Sequence, residues 1–90
     1  MKSIWKFELG PNNLKIMIPA GANLLTAQEQ HDQICVWAEV DTTAPKEEVL
    51  FEVFGTGHVM PEAMGLDREY VGTAQIQGGS FVFHVYRVIK

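Results

Sequence analysis

The residues with the most chemistry in them fall in two places. The first is Phe54-Gly55-Thr56-Gly57-His58. Glycines on both sides of a threonine let the backbone approach a ligand and aim amide groups at an anion. Thr56 adds a hydroxyl and His58 a ring N–H. The same glycines equally suit a bulge or a sharp turn at the end of a strand. No Gly-Lys-Ser/Thr follows, so the segment is not a P-loop. The second place is Arg68, between Asp67 and Glu69 and close to Tyr70. A guanidinium suits bidentate contact with phosphate or carboxylate, and an ordinary ion pair is its competing use. Tyr70 and Trp37 present rings on which a base would stack. Gly55, Thr56, Gly57, His58, Arg68, Tyr70 and Trp37 therefore form the candidate binding set. The ligand this set suits is a small anion bearing phosphate or carboxylate.

Other chemistry is thinly represented. His31, His58 and His84 do not have the spacing of a metal motif. No nucleophile, base and orienting group stand together as acyl transfer needs. Neither a metal nor a cofactor is called for, and catalysis is not expected. A small hydrolase using a histidine or a metal is the reading that metal analysis would revive. Cys35 sits in an apolar run without a base beside it, which fits a buried small hydrophobe better than a reactive thiol.

The elements that must position these residues are strands. The hydrophobic pattern has a period near two almost throughout. Strands are expected over Ile4–Leu9, Leu14–Ile18, Asn23–Gln30, Ile34–Val40, Glu48–Phe54, Tyr70–Gln77 and Phe81–Ile89. Turns are expected at Gly10-Pro11-Asn12-Asn13, at Pro19-Ala20-Gly21, at His31-Asp32 and at Gly78-Gly79. On the third strand the pattern sets Leu25 and Ala27 against Thr26, Gln28 and Gln30. One helical turn fits Pro61-Glu62-Ala63-Met64-Gly65, with Pro first and Gly last. The long connection from Gly55 to Arg68 holds Met60, Met64 and Leu66, which would plug one end of the core or line an interface. The fold class is all-β, a small antiparallel sandwich or barrel of about seven strands, one domain over residues 1–90.

Composition narrows the class further. One cysteine in 90 residues is no disulfide framework and points to a reducing cytoplasm. The N-terminal segment has no signal-like apolar stretch, and no run is long enough to span a membrane. A net charge of −4 argues against general nucleic-acid binding.

Three strands are apolar on both faces. Cys35 and Trp37 oppose Ile34, Val36, Ala38 and Val40. Leu50 and Phe54 oppose Val49, Phe51 and Val53. Val82, Tyr86 and Val88 oppose Phe81, Phe83 and Val85. Loops of a closed barrel could cover the spare faces, or a second copy could. Apolar patches of several hundred Å² are seldom left wet, so a homo-oligomer built through the fourth, fifth or last strand is expected.

The blocks Ile4-Trp5-Lys6-Phe7, Met17-Ile18-Pro19-Ala20-Gly21-Ala22, Val36-Trp37-Ala38-Glu39-Val40-Asp41, Phe54-Gly55-Thr56-Gly57-His58, Tyr70-Val71-Gly72-Thr73 and Phe81-Val82-Phe83-His84-Val85 follow one another along nearly the whole chain. In that order they resemble a family of short tailed-phage and prophage proteins without assigned function. The Gly55–His58 and Phe83-His84-Val85 blocks look like its hallmarks. The resemblance implies a phage accessory protein that acts by binding in the host cytoplasm. Two forms of binding follow by analogy. One is sequestration of a nucleotide immune signal between subunits. The other is inhibition of a host defence protein, or a virion accessory role.

Overall fold

Alternation of apolar and polar side chains commits nearly every segment to a strand buried on one face. The computed structural model describes residues 1–62 and 67–89. It contains β1 (Lys2–Leu9), β2 (Lys15–Pro19), β3 (Asn23–Gln30), β4 (Gln33–Asp41), β5 (Lys46–Gly55), β6 (Asp67–Ile76) and β7 (Phe81–Ile89). They form two antiparallel sheets, in the orders β1-β4-β3 and β2-β5-β7-β6. Inward side chains of both sheets make one core, in which Phe51, Ile18, Val36, Val40 and Val85 are fully buried. Burying a side chain such as Phe51 is worth about 1.5–3 kcal/mol. No helix among the described residues is long and apolar enough to cross a membrane.

The turns are set by residues that tolerate or require unusual backbone. His31 and Asp32 both take positive φ, 51° and 61°, and join β3 to β4 as a two-residue hairpin. Pro19-Ala20-Gly21-Ala22 closes a hydrogen bond from the Ala22 N–H to the Pro19 carbonyl at 3.3 Å, with Gly21 at φ 78°. That is a type II turn, whose third position favours glycine. Gly10 and Asn13 exchange both backbone hydrogen bonds around Pro11-Asn12, and the chain then leaves one sheet for the other.

One expectation for the third strand is corrected. The ladder between β3 and β4 slips between Leu24 and Thr26. Leu24 turns into the core with Ala27, and Leu25, expected inside, is exposed. A bulge adds one residue and so reverses the facing of everything before it. The helical turn proposed from Pro61 to Gly65 falls largely on residues 63–66, outside the described residues, as do Met64 and Leu66. Met60 is exposed, so it is not a core plug.

The sandwich has two different seams. At one, β3 and β6 lean together. A Cβ on Gly72 would stand 2.5 Å from the Ala27 backbone nitrogen and 2.6 Å from its carbonyl oxygen. The N–H of Gln77 donates to Asp32 Oδ1 across the same side at 2.8 Å. At the other seam β1 and β2 are edge strands that are not paired to each other. Trp5, Phe7, Leu14 and Ile16 are left half-buried there.

Candidate functional site

β5 and β6 both run antiparallel to β7, which lies between them. They are therefore parallel to each other, and the connection after Gly55 is a crossover. It begins with a type II turn. The His58 N–H donates to the Gly55 carbonyl at 3.0 Å and Gly57 sits at φ 84°. The His58 ring packs back against Gly55, where a Cβ would lie 2.6 Å from it and would make the ring swing outward. Both glycines thus have structural work in the turn itself.

The turn is tied to the sheet by a file of polar side chains. Thr56 Oγ1 lies 2.7 Å from His84 Nε2, and His84 Nδ1 lies 3.1 Å from Thr73 Oγ1. Thr73 in turn bonds the Tyr70 hydroxyl. The hydroxyl rotors let the file satisfy either tautomer of the ring. This joins the two segments singled out as hallmarks, Gly55–His58 and Phe83-His84-Val85, through one Thr56–His84 hydrogen bond. His84 and Thr73 were absent from the sequence-derived set. The register that pairs Thr73 with His84 and brings both to Thr56 is a non-local fact.

Arg68 is committed elsewhere. Its Nε donates to Glu52 Oε1 at 2.9 Å and its Nη2 to Glu52 Oε2 at 3.3 Å. Nη2 also donates to the Pro61 carbonyl. The guanidinium stands 5.0 Å from the centre of the Phe54 ring. Hydrogen bonding to Glu52 shifts the Arg68 pKa upward. An anionic ligand would have to displace this carboxylate or meet its repulsion. The ion-pair use of Arg68 is the one realised.

Tyr70 is 56% exposed and makes an edge contact with Tyr86, ring centres 5.6 Å apart. Tyr86 meets Phe54 in the same way at 5.9 Å. An aromatic row therefore crosses β5, β7 and β6 on the outer face. Trp37 does not join it. It projects from the outer face of β4 in the other sheet, opposite Lys6 and Thr26. Six of the seven candidates sit on or beside one sheet, and Trp37 lies across the core from them.

Two side-chain pairs cross the outer faces that looked too apolar, while Trp37, Leu50, Phe54 and Val82 on those faces stay half-buried. Lys6 on β1 donates to Gln30 on β3 at 2.6 Å. Lys6 is level with Trp37 and Gln30 with Gln33, so the strap passes over Cys35. Cys35 is 1% exposed, and burial pushes its thiol pKa upward, with the Lys6 charge opposing that by less. On the second sheet the Arg68–Glu52 pair crosses β7 between Val88 and Tyr86 in the same manner.

A further feature was invisible in the sequence. One end of the sandwich opens as an apolar cleft of about 470 Å³. Leu9, Leu14, Ile34, Val53, Ile76 and Phe83 line it, with Gly10, Pro11, Asp32 and Gln33 at the mouth. Among the described residues of this lining, Asp32 is the one ionisable side chain. Pockets of 300–1,000 Å³ with few polar groups are the usual form of a binding site. Among the described residues no three histidine, cysteine or acidic side chains converge as metal ligands.

Fold and site together define a seven-stranded antiparallel β-sandwich with a cleft at one end. The chain belongs to the family described as a domain of unknown function, DUF7352, which matches residues 1–90. No curated protein and no solved structure matches it.

Proposed function

We propose that this domain is an accessory protein of tailed phages or prophages that works in the host cytoplasm by binding a protein, with no turnover. In this reading an apolar side chain of a host defence factor enters the end cleft and is held there. The observation that carries it is the cleft itself: open, walled by six apolar side chains and edged by Asp32. Apolar anchors seated in such pockets dominate the energetics of protein interfaces.

Sequestration of an anionic nucleotide has less support. Arg68 is neutralised by Glu52, and Trp37 lies on the other sheet from Tyr70. Gly55, Gly57 and His58 are used in building their own turn.

The test separates the two. Purified protein is melted with a panel of cyclic dinucleotides and ADP-ribose derivatives, and is used in parallel to capture partners from host lysate. The protein-binding reading expects no rise in Tm with any nucleotide and a stoichiometric host partner. It also expects Gln33→Trp, which blocks the mouth from an exposed position, to lose that partner while melting normally. A Tm that climbs with saturating nucleotide would establish sequestration instead. A partner retained by Gln33→Trp would remove the cleft from the argument.

A further inference from the structure

The two sheets have four edge strands, and three of these are blunted. β3 and β6 lean on one another, and each is interrupted by a register shift, at Leu24/Thr26 and Tyr70/Gly72. β2 is five residues long and ends on Pro19, which has no N–H to offer. β1 is different. It runs eight residues, each in unbroken register with β4 on one side, and no described strand pairs with the other side. A long, regular strand with one free edge is a template for another strand.

We infer that β1 pairs antiparallel with β1 of a second copy, about a two-fold axis at Trp5, to make one six-stranded sheet across a dimer. The charges choose this register. Lys2, Ile4, Lys6 and Glu8 share the outer face, and Ser3, Trp5 and Phe7, which alternate with them along the strand, point to the inner one. An axis at Trp5 sets Lys2, which in the single chain donates to Glu39 of β4 at 3.3 Å, opposite Glu8 of the second copy as well, twice by symmetry, so that each Lys2 stands between two carboxylates. An axis at Ile4 would set Lys2 opposite Lys6, and an axis at Lys6 would set two Lys6 side chains face to face. Opposite charges directly across a sheet stabilise it and like charges destabilise it, so both neighbouring registers are penalised.

Apolar surface agrees with the charges. Ile4, 60% exposed in the single chain, meets the aliphatic stem of Lys6 of the second copy. Trp5 and its copy come together on the inner face, beside the half-buried Phe7. Association of copies thus moves from the strand faces, which the Lys6–Gln30 and Arg68–Glu52 straps already cross, to a strand edge. The inference shares with the functional reading only the premise that the domain works by binding, and failure of the cleft test leaves it standing.

The experiment is sedimentation equilibrium of the full chain with two charge reversals. The wild type is expected to be a dimer. Lys2→Glu and Glu8→Lys should each weaken association about tenfold or more, because two attractive pairs become repulsive. The double variant Lys2→Glu/Glu8→Lys should recover most of the association lost in either single variant, the shortfall being the repulsion that Lys2→Glu meets from Glu39. Melting temperatures, expected to stay within a few degrees, report that each variant is folded. Wild type that is monomeric at the highest attainable concentration overturns the inference. So does a dimer indifferent to either single reversal, or a double variant as weak as the singles.

Discussion

Where β3 meets β6, the two sheets touch backbone to backbone; where β1 and β2 end the other side, they stand apart with aromatic side chains between them. The closed seam uses the smallest residues available, Gly72 against Ala27, and a bulge in each strand. The open seam uses Trp5, Phe7, Leu14 and Ile16, in strands with no bulge. Bulges and close backbone contact remove an edge from circulation. Their absence on the other side leaves the edge of β1 unpaired among the described strands. One side of this sandwich is closed by its own strands, and the other leaves the edge of β1 open to the pairing proposed above.

Three substitutions would break or sharpen that contrast. Gly72→Val should have the largest effect, a loss of about 3 kcal/mol or more in urea unfolding, because its Cβ meets backbone that cannot rotate away. A loss under 1 kcal/mol would mean that the seam is slack. Ile16→Ala, in the open seam, should cost less, about 1–2 kcal/mol, since the side chain is only half-buried. Equal costs at the two positions would erase the distinction. Asp32→Ala should cost about 1 kcal/mol, from the lost acceptor for the Gln77 N–H and a poorer fit at positive φ. Faster hydrogen exchange at the Gln77 amide would accompany it.

The smallest effect lies away from both seams. Asp41 accepts hydrogen bonds from the Thr43 N–H at 3.0 Å and the Thr43 hydroxyl at 2.7 Å. These contacts, with a lesser contribution from the terminal amine, hold its pKa down at about 2, against an ordinary 3.8. Its contribution to stability is therefore full above about pH 4 and is lost as pH falls toward 2. Carbon-detected NMR titration should find the Asp41 midpoint near pH 2. A midpoint near 4 would show that the turn does not hold it.

Strand positions were legible because a period of two survives whatever the partner is. Turns were legible where glycine or an Asx-type residue had to take positive φ, as at Gly21 and at His31-Asp32. Register was not legible. Leu25 faces solvent because of an extra residue that no local pattern announces, and His84 reaches Thr56 across 28 positions of sequence. The doubly apolar strands led to the expectation of a second copy or of loops over their outer faces, and on β4 a side chain of the same sheet lies over Cys35. What covers Cys35 is a lysine 29 positions before it that alternation had assigned to solvent. The Arg68 ion pair was foreseen as a competing use, and Glu52 as its partner was not.

The crossover also constrains how the molecule comes into being. β7 is synthesised last of the seven strands, yet it fills a central slot between β5 and β6. Neither neighbour has a ladder on that side until it arrives. Translation of the preceding segments cannot yield the finished four-stranded sheet, and folding must wait for contacts between distant parts of the chain, which is slow. A stop codon placed before Phe81 would remove an interior strand of this sheet and leave most of a polypeptide with no native state to reach.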